Sequence, residues 1–504
     1  MPLIPLQIPK GAYRNGTDLM SQGRWRDVNL IRWHEDALRP IGGWRQRQDV
    51  DIQGVARRII AWEDNSANRR LAAGTDDALY VINAGGVKTE ITPASFTQGL
   101  VDAGINTGYG GGFYGYETYG TPRQDADQIL PATVWSLDNW GEYLLAMSPD
   151  DGTLNEWQLN DAVVAQPVSN APTSCSGFMV TEERFVVCFG AGGDPRKVQW
   201  SDQEDNTTWT PAATNQAGDI NIQTNGTILR GVRTRGQSLI LTSEDAHTMT
   251  YQGPPFVYGF ERVGTSCGLV GAAAAVSVDN GVFWMGNRGF FVYSGGRVQD
   301  IPCEVGDYVF SDINSDQKSK VSAVVNSAWN EIWWFYPSKG ATECDRYVAY
   351  DYAENIWMTG NMDRTAGVDR GVFRYPMFIA SNGELYEHEV GYNYGSDTPH
   401  AETGPIAIGS GDNIMNVVEV IPDEKTQGDV NAKFKTRYYP NAEEREYGPF
   451  TMSNPTSVRF QGRQVRMRVE GVEDADWRVG IMRLDARQGG RRCCLLYTSD
   501  AADE

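Results

Sequence analysis

Histidine is scarce in this 504-residue sequence: His34, His247, His388 and His400 are the four, and no two are near neighbours along the chain. They suggest no ligand set, and no HExxH helix, P-loop or EF-hand loop is present. The seven cysteines, Cys175, Cys188, Cys267, Cys303, Cys344, Cys493 and Cys494, include no C-x-x-C pair. Neither a zinc site nor a disulfide framework is expected, and the thiols read as reduced ones in a protein assembled in a cytosol. No cofactor is expected. No apolar run approaches the roughly 18 residues of a membrane span. The opening MPLIPLQIPKGAYRNG lacks the basic segment and apolar stretch of a secretory signal, so stable membrane insertion is not expected. Basic charge is also short: 44 Lys and Arg stand against 65 Asp and Glu, a net charge of −21. Such a surface repels phosphates and disfavours DNA binding by a basic face. It is compatible with a channel through which DNA slides, where adhesion would hinder passage; on that reading acidic residues face the axis of a ring.

Aromatics and glycine, by contrast, are abundant. There are 15 Trp, 23 Tyr and 17 Phe, with 55 Gly and 23 Pro. Aromatics favour strands and can fill a sizeable core, and Gly and Pro mark turns. The length suits two or three domains, or one large domain of radially repeated sheets. From Arg57 to Gly391 one pattern recurs: a short strand of alternating apolar residues, a turn, a second strand often carrying an aromatic, another turn. The stretch Ala273–Ile301 is the clearest copy, with turns at Asp279–Gly281, Asn287–Gly289 and Gly295–Gly296. Copies begin roughly every 40 to 55 residues, the range of propeller blades. The expected fold is all-β: a β-propeller-like repeat of six or seven blades over residues 51–403, preceded by an N-terminal arm and first strands (1–50) and followed by an appended β-sandwich-like domain (404–492). In the last, Val465, Met467 and Val469 fall on one face of a strand and Arg466 and Arg468 on the other. Residues 494–504, LLYTSDAADE after Cys494, resemble a translated sequencing adapter and are set aside as an artefact. This removes three acids and leaves the chain strongly acidic.

Two segments are candidate contact surfaces. Between Gly23 and Arg47, Trp25, Trp33 and Trp44 alternate with arginines that include Arg26 and Arg39. This mixture either binds a partner or nucleic acid, or forms a strand and a Pro40–Gly43 turn with arginine stems packed on tryptophan faces. The loop inserted at 104–123, GINTGYGGGFYGYETYGTPR, is low in complexity. It is either a connector or a mobile contact loop, with Tyr109, Phe113, Tyr114, Tyr116 and Tyr119 as its contact residues.

Catalytic motifs are weak. Gly264-Thr-Ser-Cys-Gly268 matches the G-x-S-x-G elbow, but LVGAAAAVSVDNGVFW follows it and reads as strand and turn, not helix. Ser201–Trp209, SDQEDNTTW, resembles an Asp-box turn with Asn206 in place of its glycine. Trp209 should pack under the turn, with Ser201 and Asp205 bonding its backbone. Asp-boxes occur in sialidase propellers, so a propeller glycosidase or glycan-binding receptor protein is the alternative function. Acidic pairs such as Asp76–Asp77 and Asp150–Asp151 read as solvated turns.

The opening IPKGAYRNGTDLMSQGRWRDVNLIRWHEDALRPIGGWR, together with GYGGGFYGYETYGTPR, WSDQEDNTTWTP, GTSCGLVG and RFQGRQVRMRVEGVEDADWRVGIMRLDARQGGRR, resembles the phage packaged-DNA stabilisation proteins, the tail hubs or nozzles of short-tailed phages. The resemblance spans nearly all of residues 1–492 and carries no catalytic motif. It implies a non-enzymatic virion protein of the tail or neck, assembled in the host bacterial cytoplasm. Its subunits would form a ring, a homo-hexamer, below the portal and head–tail adaptor. Its partners would be those proteins, a tail needle, plug or tailspike, and the phage DNA passing through.

Overall fold

The structure, a computed structural model, describes residues 3–106, 128–279, 281–407, 413–424, 426 and 430–489. Among them are seven four-stranded antiparallel sheets whose innermost strands stand side by side around one axis. Blade 1 is Arg58–Glu63, Arg69–Gly74, Leu79–Asn83 and Lys88–Glu90; blade 2 runs from Ser136–Trp140 out to Gln166–Pro167. Blades 3 to 6 begin at the inner strands Gly177–Val180, Ile228–Thr234, Ala275–Val278 and Ser322–Asn326. Blade 7 takes three strands, Ala366–Val368, Met377–Ile379 and Glu384–His388, from late in the chain and its outermost, Trp44–Asp51, from near the start. His388 pairs with Trp44 and Glu384 with Asp51, so the ring is closed by hydrogen bonds between distant segments.

The blades depart from simple alternation for a physical reason. A blade is covered on both faces by its neighbours, so its second strand can be buried along its whole length: Gly281–Met285 (GVFWM) and Glu331–Tyr336 (EIWWFY) are buried at every position. Turns supply the register. Ser294 faces Arg297 across Gly295–Gly296, whose φ values of 61° and 83° match the mirror-image turn that suits strand twist. Buried indoles tie one blade to the next through carbonyls. Trp135 donates to the Thr75 carbonyl at 2.7 Å and Trp334 to that of Ala274 at 3.1 Å.

The second body is a two-sheet sandwich. One sheet is Ile4–Leu6, Met482–Gln488, Met415–Ile421 and Thr456–Gly462. The other is Trp25–Asn29, His400–Thr403, Gln464–Gly471, Val430–Arg437 and Arg445–Thr451, with Ile406–Ala407 beside Gln464–Gly471. Phe434 and Phe460 stack between the sheets at 4.6 Å. Here one face meets solvent and alternation is regular, as in Thr456–Gly462. Val465, Met467 and Val469 point into the core as expected.

The division of the chain differs from the expected one. Residues 1–50 are no separate arm: they give Ile4–Leu6 and Trp25–Asn29 to the sandwich and most of Trp44–Asp51 to blade 7, while His400–Thr403 belongs to the sandwich. Nor is the sandwich simply appended. It lies against the outer strand of blade 6, Ile356–Asn361, where the Ala12 amide donates to the Trp357 carbonyl and the Asn361 amide to the Asn29 side chain. One apolar core runs from the sandwich into blades 4 to 7.

Candidate functional site

The aromatic and basic N-terminal stretch folds largely inward. Trp25 and Trp33 are 4% and 6% exposed and belong to the main core, so as contact residues they are corrected to packing residues; an indole gains more by burial in its own chain than by waiting for a partner. Arg26 is half-buried, with its Nε 3.2 Å from Asp18, a carboxylate that also binds Arg437 and Arg466. Arg39 pairs with Asp476 at 3.0 Å. Trp44 opens the closing strand of blade 7 and stacks on His388. The expected Pro40–Gly43 turn is replaced by a hairpin, Ile31–His34 with Ala37–Pro40, turning at Glu35–Asp36.

That hairpin grips blade 6. Arg32, fully buried, donates to both Glu331 oxygens at 2.9 Å and to Glu389 at 2.6 and 3.0 Å. Trp333 and Asn326 complete the shell around these carboxylates. Burial pushes the Glu331 carboxyl up to about 7, against the pull of Arg32. Glu389 is also penalised by burial, yet Arg32, Asn326 and the Gly42 amide hold it below the usual range. Arg32 and Arg39 both lie over the ring of Trp329, at 4.3 and 5.2 Å. Arginine stacked on tryptophan was expected inside the stretch; the tryptophan is instead some 300 residues away, which no local signal announces.

The Gly/Tyr contact residues Tyr109, Phe113, Tyr114, Tyr116 and Tyr119 lie outside the described residues. The base of their segment is described. Gly104–Asn106 pairs with Gln128–Leu130, and Gln317 brackets Ala103, accepting from its amide at 2.9 Å and donating to its carbonyl at 3.1 Å. Lys320, with no side-chain exposure, joins Asp102 to Glu343, which also holds Arg57. In a four-stranded antiparallel blade, links between blades share one face with the turns joining second and third strands. The base binds such links and turns, as in the Gly99 amide on the Asp76 carbonyl. The hairpin of Arg32 grips the turn between the first two strands of blade 6, so the two features occupy opposite faces.

Between them runs the channel. It encloses about 330 Å³ and is lined by all seven inner strands, among them Arg58, Asp138, Arg230, Arg233, Val324 and Asp369. Asp138 accepts from the Val180 and Asn139 amides and from Arg233, each within 3.0 Å. No histidine lines the cavity. Among the described residues no group of three or more His, Cys, Asp and Glu is placed to hold a metal, and no helix is long and apolar enough to cross a membrane.

The motif-like segments are structural in position. Ser266 is exposed in a left-handed conformation, with no helix after it and, among the described residues, no hydrogen bond from its hydroxyl to a histidine or carboxylate. Ser201–Trp209 does form the expected turn: Asp205 accepts from the Thr207 amide at 2.8 Å, Ser201 from the Val186 amide, and Trp209, 2% exposed, donates to the Asn206 carbonyl at 2.7 Å.

No family model and no curated protein matches the chain. Solved structures that resemble it include virginiamycin B lyase from Staphylococcus aureus, 7% identical, covering 68% of this chain and 96% of that one with a TM-score of 0.41. BamB from Moraxella catarrhalis is 9% identical, covering 73% and 95% with a TM-score of 0.38. The WD40 propeller domain of Doa1 is 9% identical, covering 69% and 94% with a TM-score of 0.37. At these identities and TM-scores the likeness carries no argument about this chain, and the propeller rests on its own ring of seven sheets.

Proposed function

We propose that this chain is a structural subunit of a bacteriophage tail or neck, a tail hub or nozzle that forms a ring continuing the DNA channel below the portal and adaptor. What carries the reading is the order along residues 1–492 of sequence segments that resemble those of packaged-DNA stabilisation proteins. The architecture is consistent with it. Sandwich and propeller share one core, and the hairpin that follows the sandwich strand Trp25–Asn29 is fixed to blade 6 by a buried ion cluster, which suits a part that must transmit load without flexing. Arg26, Arg39 and Trp44, each partly buried, remain candidates for adaptor or ring contact. The hairpin Asp245–Gly253 with Val257–Thr265, whose strands are the longest in the chain, carries Phe256 at its tip, 77% exposed, an apolar contact offered to a neighbour.

The test is the mass of purified residues 1–492, alone and with the cognate portal–adaptor complex, followed by negative-stain imaging. A ring or tube, alone or on the adaptor, supports the reading, and Phe256→Asp should then lower assembly without changing the melting temperature. A monomer that ignores the adaptor overturns it and makes a glycan screen the next measurement.

A further inference from the structure

The propeller channel gathers charged side chains that are not all matched to one another. Three arginines line it, Arg58 from blade 1 and Arg230 and Arg233 from blade 4. Two acids line it, Asp138 and Asp369. Arg233 is matched by Asp138 at 3.0 Å. Both Asp138 oxygens are already engaged, by Arg233 and two amides. Asp369 accepts from the Ser327 and Arg370 amides and forms no ion pair among the described residues. Arg230 donates one hydrogen bond, to the Ala272 carbonyl at 3.0 Å. The Arg58 guanidinium has neither hydrogen bond nor ion pair among the described residues.

Two partly buried guanidinium groups therefore line one cavity without a counter-ion of their own. Burial depresses both, Arg230 far below its ordinary range, and Arg58 adds repulsion that Asp138 offsets only in part. An arginine cannot relieve this by losing its proton at ordinary pH. A charge partly withdrawn from water and left without a partner is costly, and what lowers that cost is an anion. The guanidinium fork matches the oxygens of a tetrahedral oxyanion in paired hydrogen bonds. The cavity, about 330 Å³, is large enough for phosphate or a small phosphate monoester.

We infer that the propeller channel is a binding site for a phosphate-type oxyanion, held between Arg58 and Arg230. It would form from the chain's own residues, whatever the subunit assembles into. The net charge of −21 works against anions at the surface, so occupancy rests on these two side chains and not on a general basic field.

Thermal melting of residues 1–492 tests this, with inorganic phosphate titrated against sodium chloride at matched ionic strength. The expected result is a saturable rise in melting temperature with phosphate and none with chloride. The double variant Arg58→Gln, Arg230→Gln should lose the response while melting in chloride no lower than the parent, because it discards two charges that lack a carboxylate of their own. A sugar phosphate in place of phosphate separates an ester ligand from the free ion: a larger rise with either still supports the site. No response in the parent beyond chloride overturns it, as does an undiminished response in the variant. Tungstate soaked into crystals of the parent gives a readout that does not depend on the variant folding: an anomalous peak between Arg58 and Arg230 is expected, and a peak elsewhere alone overturns the assignment.

Discussion

Arg32 carries one positive charge and touches two carboxylates, so one of those carboxylates holds its proton to a higher pH than usual. That residue is Glu331, whose carboxyl is pushed up to about 7 by burial. The sign of the linkage follows. In the unfolded chain Glu331 titrates near 4.5, so between roughly 4.5 and 7 the folded state binds the extra proton. The stabilisation linked to Glu331 is complete below that window and is lost as pH rises through it, an effect on the order of 3 kcal/mol. Glu389, held low, acts below the window and does not cancel this. Glu331→Gln should therefore flatten the fall in stability between pH 5 and 7, measured by urea unfolding at a series of pH values. Arg32→Met leaves two buried acids without their cation and should cost about 3 to 5 kcal/mol by the same measurement.

At the scale of elements, the closing strand Trp44–Asp51 bears the most consequence for its length. Val50 is 2% exposed and packs with Ile52, Ile379 and Leu385 between blades 7 and 1. Val50→Asp places a carboxylate there and should lower the unfolding free energy by about 3 kcal/mol or more, read as a lower urea midpoint. Arg45→Ala, on the same strand but exposed, removes only the surface pair with Glu387 and should cost about 1 kcal/mol or less. This strand also marks the limit of what the sequence discloses. Blades with Gly-Gly, Asp-Gly or Asn-Gly turns and aromatic second strands were legible, because turn chemistry and burial are local. The Asp-box turn was legible for the same reason. WRQRQDVD has neither pattern, and its partner lies beyond residue 380. Arg32 finds Glu331 and Glu389, and Trp329 finds Arg32, at separations over which single-sequence reasoning has no purchase. The channel arginines escaped notice likewise: Arg58 and Arg230 become neighbours only when seven blades close.

At the scale of the molecule, sandwich and propeller share one core, and the hairpin between them is tied to blade 6 by a buried ion cluster, so they should melt together. Calorimetry of residues 1–492 should give a single transition whose calorimetric and van't Hoff enthalpies agree. The double variant Arg32→Met, Trp329→Ala removes the grip of the hairpin on blade 6 and should split or broaden that transition. Two transitions already present in the parent would mean that the seam carries little energy.

Closure by Trp44–Asp51 has a bearing on synthesis as well. The strand leaves the ribosome early and cannot pair until Glu384–His388 follows, and the sandwich likewise joins Ile4–Leu6 to Met482–Gln488. A chain released before residue 384 completes neither body. Its early edge strands stay unpaired, open to aggregation or proteolysis. The topology thus acts as a check on length: only chains translated past residue 488 can complete both bodies.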